Sequence, residues 1–351
     1  MIDRRPLVLH IVEALGGGIM VALRDYIAST EAEVQHIILA NHRKGHDTGD
    51  LRGYSTITLG RVSSGVMPFI RIRRAVRELR PDIVHLHSSW AGFLGRLCVP
   101  NECPIIYTPH CYAFERQDIG PVPRFAFRLV EKMLSPRTDV VIAVSPRENE
   151  LSRALRRSAW AVYVPNIARV DTEEESCRTA LAFTIVGAGR VTSQKGPDWF
   201  AEVARLVLKK HAQVRFVWLG GGDAAMESVL IESGVEVTGW LTRKQVLTRM
   251  KSADLYIHSA SWEGAPLTAI EAAALGLPVI GRDIPALRSL GFPVLHPTAK
   301  DAACWLFNAL RQDAFDRLSG QMQPIAARHT IEIQREGLLY SYRLAAPSAF
   351  S

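Results

Sequence analysis

Two successive series of short β-branched runs, separated by helix-length amphipathic stretches, constrain this chain more than any other feature. Such alternation buries its apolar faces as parallel sheets flanked by helices. The first series runs through residues 7–12, 34–39, 83–87, 105–108, 140–144 and 161–164, and the second through 182–186, 214–219, 235–238, 255–258 and 278–280. The pattern predicts an α/β protein of two doubly wound, Rossmann-like domains facing a cleft, over residues 1–170 and 177–328. Between them, Asp171-Thr172-Glu173-Glu174-Glu175-Ser176 reads as an acidic linker. With 351 residues and 48% hydrophobic content, the chain can build a core for each domain. In such folds ligands gather beyond the carboxyl ends of the strands, so functional residues are sought there.

Composition excludes several classes. No segment approaches 18 apolar residues, which argues against a membrane-spanning helix. The run from Leu7 to Val12 is too short for a signal peptide and lacks a small-residue cleavage site. Five scattered cysteines argue against a disulfide framework and for a reducing, cytoplasmic setting. Cys98 and Cys103 read as buried thiols, not zinc ligands. The net charge of +7 belongs to the first half, where 23 Lys and Arg face 16 Asp and Glu over residues 1–170. Part of it lies in Arg71, Arg73, Arg74, Arg77 and Arg80, spaced along one helix that Pro81 stops. These arginines are either a solvated helix face or a basic surface that meets anionic lipid or a pyrophosphate-bearing acceptor. No basic and aromatic interleaving marks a nucleic-acid binder.

The richest segment is Ser261-Trp262-Glu263-Gly264-Ala265-Pro266-Leu267-Thr268-Ala269-Ile270-Glu271, directly after a strand. Pro266 suits the first turn of a helix, which leaves Glu263 in the loop and Glu271 over a turn further along. A helix N-terminus favours a phosphate, and carboxylates accept hydrogen bonds from vicinal hydroxyls. Diphosphate plus hydroxyls describes a nucleotide sugar. Upstream, Phe183-Thr184-Ile185-Val186 opens into a loop carrying Arg190 and Lys195, two cations able to close on one polyanion. The chain contains no Asp-x-Asp triplet, a common way of holding a metal against a nucleotide diphosphate, so these cations would neutralise a leaving group instead.

In the first half, Gly16-Gly17-Gly18 follows the first strand, where bare backbone can approach an anion or sugar. The Gly-x-Gly-x-x-Gly pattern of dinucleotide binders is absent, so no nicotinamide cofactor is indicated. His110, in Tyr107-Thr108-Pro109-His110-Cys111, stands just past a strand end and is either structural or a hydrogen-bonding group at the site. His85 and His87 read as strand residues near the cleft; no Asp, Glu or Cys partners them at ligand spacing, so no metal site is expected. Gly220-Gly221-Gly222-Asp223 turns the chain at a strand end, and no nucleophile elbow occurs.

Taken together, Gly16-Gly17-Gly18, Pro81 through His87, Thr108-Pro109-His110, Val144-Ser145, Val164-Pro165-Asn166, Gly189-Arg190 through Lys195-Gly196, and Glu263 through Glu271-Ala272 resemble glycosyltransferase family 4, of the GT-B fold. The wording Ser88 to Arg96 and Pro109 to Phe114 further resembles bacterial members that build surface polysaccharides. The resemblance implies retaining, metal-independent hexose transfer from a nucleotide sugar, UDP- or GDP-linked, to a lipid-linked or saccharide acceptor. It needs no cofactor beyond that co-substrate. By the same resemblance, Glu271 would hold the ribose hydroxyls and Glu263 the donor sugar. Arg190 and Lys195 would bind the diphosphate, helped by backbone between Gly264, Ala265, Pro266, Leu267 and Thr268. His110 would line the sugar site, with Gly17 and Gly18 near donor phosphate and acceptor. The residues 331–346 resemble a closing helix that packs back on the first domain. The implied location is the cytoplasm, peripheral at the inner face of the membrane, with Arg71, Arg73, Arg74 and Arg77 toward anionic lipid. Two rival readings keep the same cleft: a non-catalytic nucleotide-sugar-binding protein, and a GT-B sugar-nucleotide hydrolase or epimerase.

Overall fold

A computed structural model describes residues 5–42, 56–58, 67–156, 160–170, 182–311 and 314–351. The acidic linker expected at residues 171–176 lies outside the described residues, as does Cys177. The chain forms two compact units, Met1–Glu115, Ile119–Ile167 and Thr330–Ser351 in one, Arg116–Asp118 and Ala168–His329 in the other.

The first unit begins with β1 (Leu7–Leu15), α1 (Gly17–Thr30), β2 (Gln35–His42), β3 (Thr56–Thr58), α2 (Met67–Leu79), β4 (Ile83–His87) and α3 (Ser88–Cys98). It continues through β5 (Ile105–Thr108), α4 (Pro121–Leu134), β6 (Val140–Ala143), α5 (Pro146–Leu155) and β7 (Trp160–Tyr163). Its seven strands are parallel in the order β3-β2-β1-β4-β5-β6-β7. The second unit holds β8 (Thr184–Ala188), α6 (Pro197–Leu208), β9 (Arg215–Leu219), α7 (Ala224–Glu232), β10 (Val235–Val237), α8 (Arg243–Lys251) and β11 (Leu255–His258). Then follow α9 (Leu267–Ala274), β12 (Val279–Arg282), α10 (Pro285–Leu290), β13 (Leu295–His296), α11 (Ala299–Ala309), α12 (Ala314–Gly320) and α13 (Gln323–Ala326). Its six strands are parallel in the order β10-β9-β8-β11-β12-β13. Each order reverses between the first and fourth strand of its sheet, which opens a switch point at the β1/β4 pair and another at the β8/β11 pair.

Central strands are buried on both faces, as the helices above and below demand. In β1, Val8, Leu9, Ile11 and Val12 are all inaccessible, and so are Ile185, Phe216, Ile257 and Ile280 in the second sheet. Strand entry follows one device three times. Asp82, Asp139 and Asp254, each just before a strand, accept the N–H of Leu7, Ile105 and Thr184 on the neighbouring strand at 2.7, 2.7 and 2.8 Å. The last of these starts β8 at Thr184, two residues beyond the apolar run at Ala182, and the strand runs to Ala188. The short β3 and β13 carry too few residues to show a period. Arg80 lies beyond the end of α2, at φ 47°, so four of the five arginines ride the helix itself.

The final helix, α14 (Ile331–Ala345), belongs to the first unit and packs on α1. Leu338, Leu339 and Tyr342 join Val8, Tyr26, Ile106 and Ile142 in one buried cluster, and Gln334 donates to the Pro165 carbonyl at 2.9 Å.

Candidate functional site

In the second unit the site is assembled from the loops that leave β8 and β11, the two strands of the switch point. The β8 loop turns at Gly189 and again at Gly196, whose φ of 63° opens α6 with Pro197 in its first turn. A Cβ on Gly196 would stand 2.3 Å from the Ser259 carbonyl oxygen, so the two loops touch backbone to backbone here. The contact continues outward. Ser259 donates its hydroxyl to the Lys195 carbonyl at 2.8 Å, Ser261 N–H donates to Gln194 O at 2.8 Å, and Gln194 Nε2 donates to Trp262 O at 3.2 Å. Arg282, ending β12, donates to the Ser261 hydroxyl at 2.8 Å.

This zipper sets the charged side chains. Lys195 Nζ donates to Glu263 Oε1, both largely buried, so the cation expected at a diphosphate and the carboxylate expected at a sugar are bonded to each other. Arg190 is exposed on the same loop. Glu271, on α9, is almost wholly buried and accepts from Arg243 Nη2 at 2.6 Å; Arg243 opens α8 and also donates to the Arg169 carbonyl at 3.3 Å. Pro266 is the residue before α9, not within its first turn: its φ of −78° and ψ of 86° lie outside the helix, while its carbonyl accepts from Ala269 and Ile270. The helical ladder thus starts at Ala269, and the amides of Leu267 and Thr268 precede it. Thr268 Oγ1 accepts from the buried Tyr256 hydroxyl at 2.7 Å. A polyanion against this lip would meet a guanidinium, an ammonium and a helix N-terminus.

In the first unit, Gly17 and Gly18 are exposed and form the first turn of α1, so the glycines lie in the helix and not in a loop before it. His110 and Cys111 follow β5 with φ of 53° and 98°, left-handed values that non-glycine residues rarely adopt. Glu148 holds that turn. Its carboxylate accepts from Cys111 N–H at 2.7 Å and from Val144 N–H at 2.8 Å, and burial raises its pKa to about 7. Ser145 caps α5 by accepting from Glu148 N–H. The Ser145-x-x-Glu148 spacing is a capping signature legible in the sequence, but the carboxylate is spent on the loop instead of the cap. Arg243 and Glu148 are two of the residues that sequence reading missed. Each acts through a partner more than 20 positions away.

His85 and His87 are fully buried in β4, and His10 on β1 brings a third imidazole beside them, their ligand atoms lying within 4.8 Å of one another. His10 Nδ1 and His87 Nε2 are 3.0 Å apart and bonded to each other. Burial lowers the pKa of all three well below the ordinary histidine range, and that of His110 to about 4. Burial likewise lifts the thiols of Cys98 and Cys103 to about 11.

The glycosyl transferase 4-like domain matches residues 17–166, and glycosyl transferases group 1 matches residues 182–302, so that together they span most of the chain. The chain joins a glycosyl transferase 4-like domain to a group 1 glycosyltransferase domain. Its fold is GT-B. An uncharacterized 41.2 kDa protein in the cps region of Klebsiella pneumoniae is 25% identical over 297 residues, covering 80% of this glycosyltransferase and 82% of that protein. The UDP-Gal:alpha-D-GlcNAc-diphosphoundecaprenol alpha-1,3-galactosyltransferase of Escherichia coli is 26% identical over 241 residues, 61% of either chain. Among solved structures, Anabaena Alr3699/HepE in complex with UDP-glucose superposes with a TM-score of 0.77 at 14% identity, over 95% of this chain and 98% of that one.

Proposed function

We propose that the chain is a metal-independent, retaining hexosyltransferase that carries a sugar from a UDP- or GDP-linked donor to a lipid-linked or saccharide acceptor in bacterial surface-polysaccharide synthesis. The observation that carries this reading is the grouping of Arg190 and Lys195 on the loop after β8 with Glu263 on the adjoining loop after β11 and Glu271 on α9 that follows it. Arg190, Lys195 and the amides of Leu267 and Thr268 would meet the diphosphate and stabilise its charge as it departs. Glu263 would take hydroxyls of the donor sugar, and Glu271, held still by Arg243, those of the ribose. Lys195 is paired with Glu263 in the resting protein, so donor binding exchanges one anionic partner for another at low cost in desolvation. His110, neutral at pH 7, would line the sugar site. An oxocarbenium-like transition state depends on stabilising the leaving diphosphate, which these groups do without a metal. The activity of the Escherichia coli relative supports a nucleotide-sugar donor and a diphosphoundecaprenol-linked acceptor, and the Klebsiella relative belongs to a cps region.

A peripheral membrane contact at the inner face of the cytoplasmic membrane completes the reading. No helix among the described residues is long and apolar enough to cross a membrane. Helix α4 is amphipathic the wrong way round for water. Its Glu131 is buried against Arg96 at 2.7 Å and the Tyr107 hydroxyl at 3.0 Å, while Val122, Phe125, Leu129 and Met133 form one outward stripe, Val122 78% and Phe125 69% exposed. With Lys132 and Arg128 on the same helix, and Arg73, Arg74 and Arg77 exposed on α2, this combination suits an anionic lipid surface.

The test is a thermal-shift screen against UDP, GDP, ADP and their common sugar conjugates, with Arg190→Ala and Glu271→Ala alongside. A shift for one nucleotide that is lost in the variants, followed by release of that nucleotide when acceptor is added, supports transfer. A shift without turnover on any acceptor leaves a binding protein, and no shift with any nucleotide sinks the reading.

A further inference from the structure

Histidines cross the first sheet in a file. His36 stands on β2, His10 on β1, His87 on β4 and His110 just past β5, four neighbouring positions in the strand order. Parallel register brings them together: Val8 pairs with His36, Val12 with His87, and His87 with Thr108. The contacts run without a gap. Thr30 Oγ1 lies 3.1 Å from His36 Nε2, His36 Nδ1 2.9 Å from His10 Nε2, His10 Nδ1 3.0 Å from His87 Nε2, and His87 Nδ1 3.1 Å from His110 Nε2.

One proton decides the direction of the whole file. A threonine hydroxyl has a single hydrogen, and Thr30, ending α1, gives its hydrogen to the Tyr26 carbonyl at 2.7 Å. Toward His36 it can therefore only accept, so His36 carries its proton on Nε2 and offers a lone pair at Nδ1. A neutral imidazole has one donor and one acceptor, so the same assignment passes to His10, then His87, then His110. Burial keeps the rings neutral, His36 and His110 with pKa values lowered to about 4 and His10 and His87 lower than the ordinary range, which preserves one proton per ring. His85 stands beside the file, stacked on His87 at 4.1 Å and bonded through Nε2 to the Thr108 hydroxyl at 2.8 Å.

We propose that Thr30, His36, His10 and His87 form an ordered hydrogen-bond file that positions His110 as its Nε2–H tautomer, so that Nδ1 meets a ligand hydroxyl as an acceptor only. Thr30 and the three inner histidines are positioning residues, acting through His110. The arrangement makes His110 selective for a ligand group that donates, an O–H, over an ether or a fluorine at the same place, because neither can fill an acceptor-facing bond. This last consequence rests on the reading of His110 as part of a sugar site. The file itself does not.

The experiment is a long-range ¹H–¹⁵N correlation spectrum of the full chain labelled with ¹⁵N-histidine at pH 7.5, with His110 assigned from His110→Asn. The expected spectrum has His110 protonated at Nε2 and bare at Nδ1. Thr30→Val, which keeps the shape and removes the hydroxyl, should move proton occupancy at His110 toward Nδ1, and Thr30→Ser should restore the original signal. His110 already protonated at Nδ1 in the unaltered chain, or unmoved in Thr30→Val, overturns the file. So does stoichiometric zinc in the purified protein, because a metal held by His10, His85 and His87 would consume the same lone pairs. UDP-glucose, UDP-galactose and GDP-mannose are then added in turn. A perturbed Nδ1 with one of them joins the file to the sugar site; an intact file unmoved by any of them sinks the sugar-site reading alone.

Discussion

Lys195 Nζ donates to Glu263 Oε1 across 68 residues of chain, and this ion pair closes the loop after β8 on the loop after β11. Both groups lie beside the first turn of α9, so the pair ties the two halves of the proposed donor site together. Lys195→Ala should lower kcat/KM for donor by about 100-fold, the cost of losing one charge-stabilising donor at a leaving group. The melting midpoint should fall as well, because the variant strands a Glu263 carboxylate that is only 10% exposed. Steady-state kinetics beside a melting curve decide it: an unchanged kcat/KM would remove Lys195 from the machinery.

Arg243 and Glu271 make a second buried pair, and the cost of breaking it depends on which side is removed. Glu271→Ala strands the Arg243 guanidinium and should cost about 1–3 kcal/mol of stability together with nucleotide affinity. Arg243→Ala leaves Glu271 in place but loose, and is expected to raise KM for the donor more than it lowers kcat. Equal loss of kcat in both variants, with KM unmoved, would contradict a positioning role for Arg243.

Gly196 combines a left-handed φ with no room for a side chain. Gly196→Ala drives a methyl into the Ser259 carbonyl and must shift one loop against the other. Loss of nucleotide-induced stabilisation is expected, with the fold of the second unit retained by circular dichroism. Wild-type nucleotide response in this variant would show that the loop contact is dispensable.

The buried histidines tie stability to pH. In the unfolded chain each takes a proton near pH 6.5, whereas in the folded state His36 and His110 do so at about 4, His258 at about 3, and His10, His85 and His87 well below the usual range. Between those limits the unfolded state binds more protons, so stability falls as pH drops from about 7 toward 4. Glu148 opposes this. With its pKa raised to about 7, it takes a proton in the folded state first, which stabilises on acidification, but it is one group against six. Urea unfolding at pH 7 and pH 5 should give the lower stability at pH 5. Equal or greater stability at pH 5 would mean that the rings are not held neutral.

The outward stripe of α4 gives a prediction for lipid. Phe125→Ser with Met133→Ser should abolish sedimentation with vesicles containing phosphatidylglycerol while leaving nucleotide-induced stabilisation intact, because both side chains are exposed and neither belongs to the unit that holds the donor loops. Replacing Arg73, Arg74 and Arg77 by Gln should weaken the same sedimentation and flatten its salt dependence. Undiminished sedimentation in both variants would exclude this face.

Much of the architecture is written locally. The bounds of β4, β5 and β11 coincide with their short strand-like runs, because strands buried on both faces are mainly apolar, with His85, His87 and His258 admitted as buried rings. The glycine turns and the grouping of Arg190, Lys195 and the two glutamates after neighbouring strands also follow from short-range pattern and the rule that sites open beyond strand ends. What local pattern does not contain is partnership across the chain. That Lys195 faces Glu263, that Arg243 holds Glu271, that Glu148 pins the turn at His110, and that Thr30 directs a file of histidines are outcomes of strand register and loop contact. Side-chain periodicity fixes which face a residue shares, while the identity of its partner depends on strands and loops tens of residues away. The sequence alone therefore determines the two sheets and the kind of groups gathered at their edges, and tertiary packing decides which of those groups are bonded, neutral and directed.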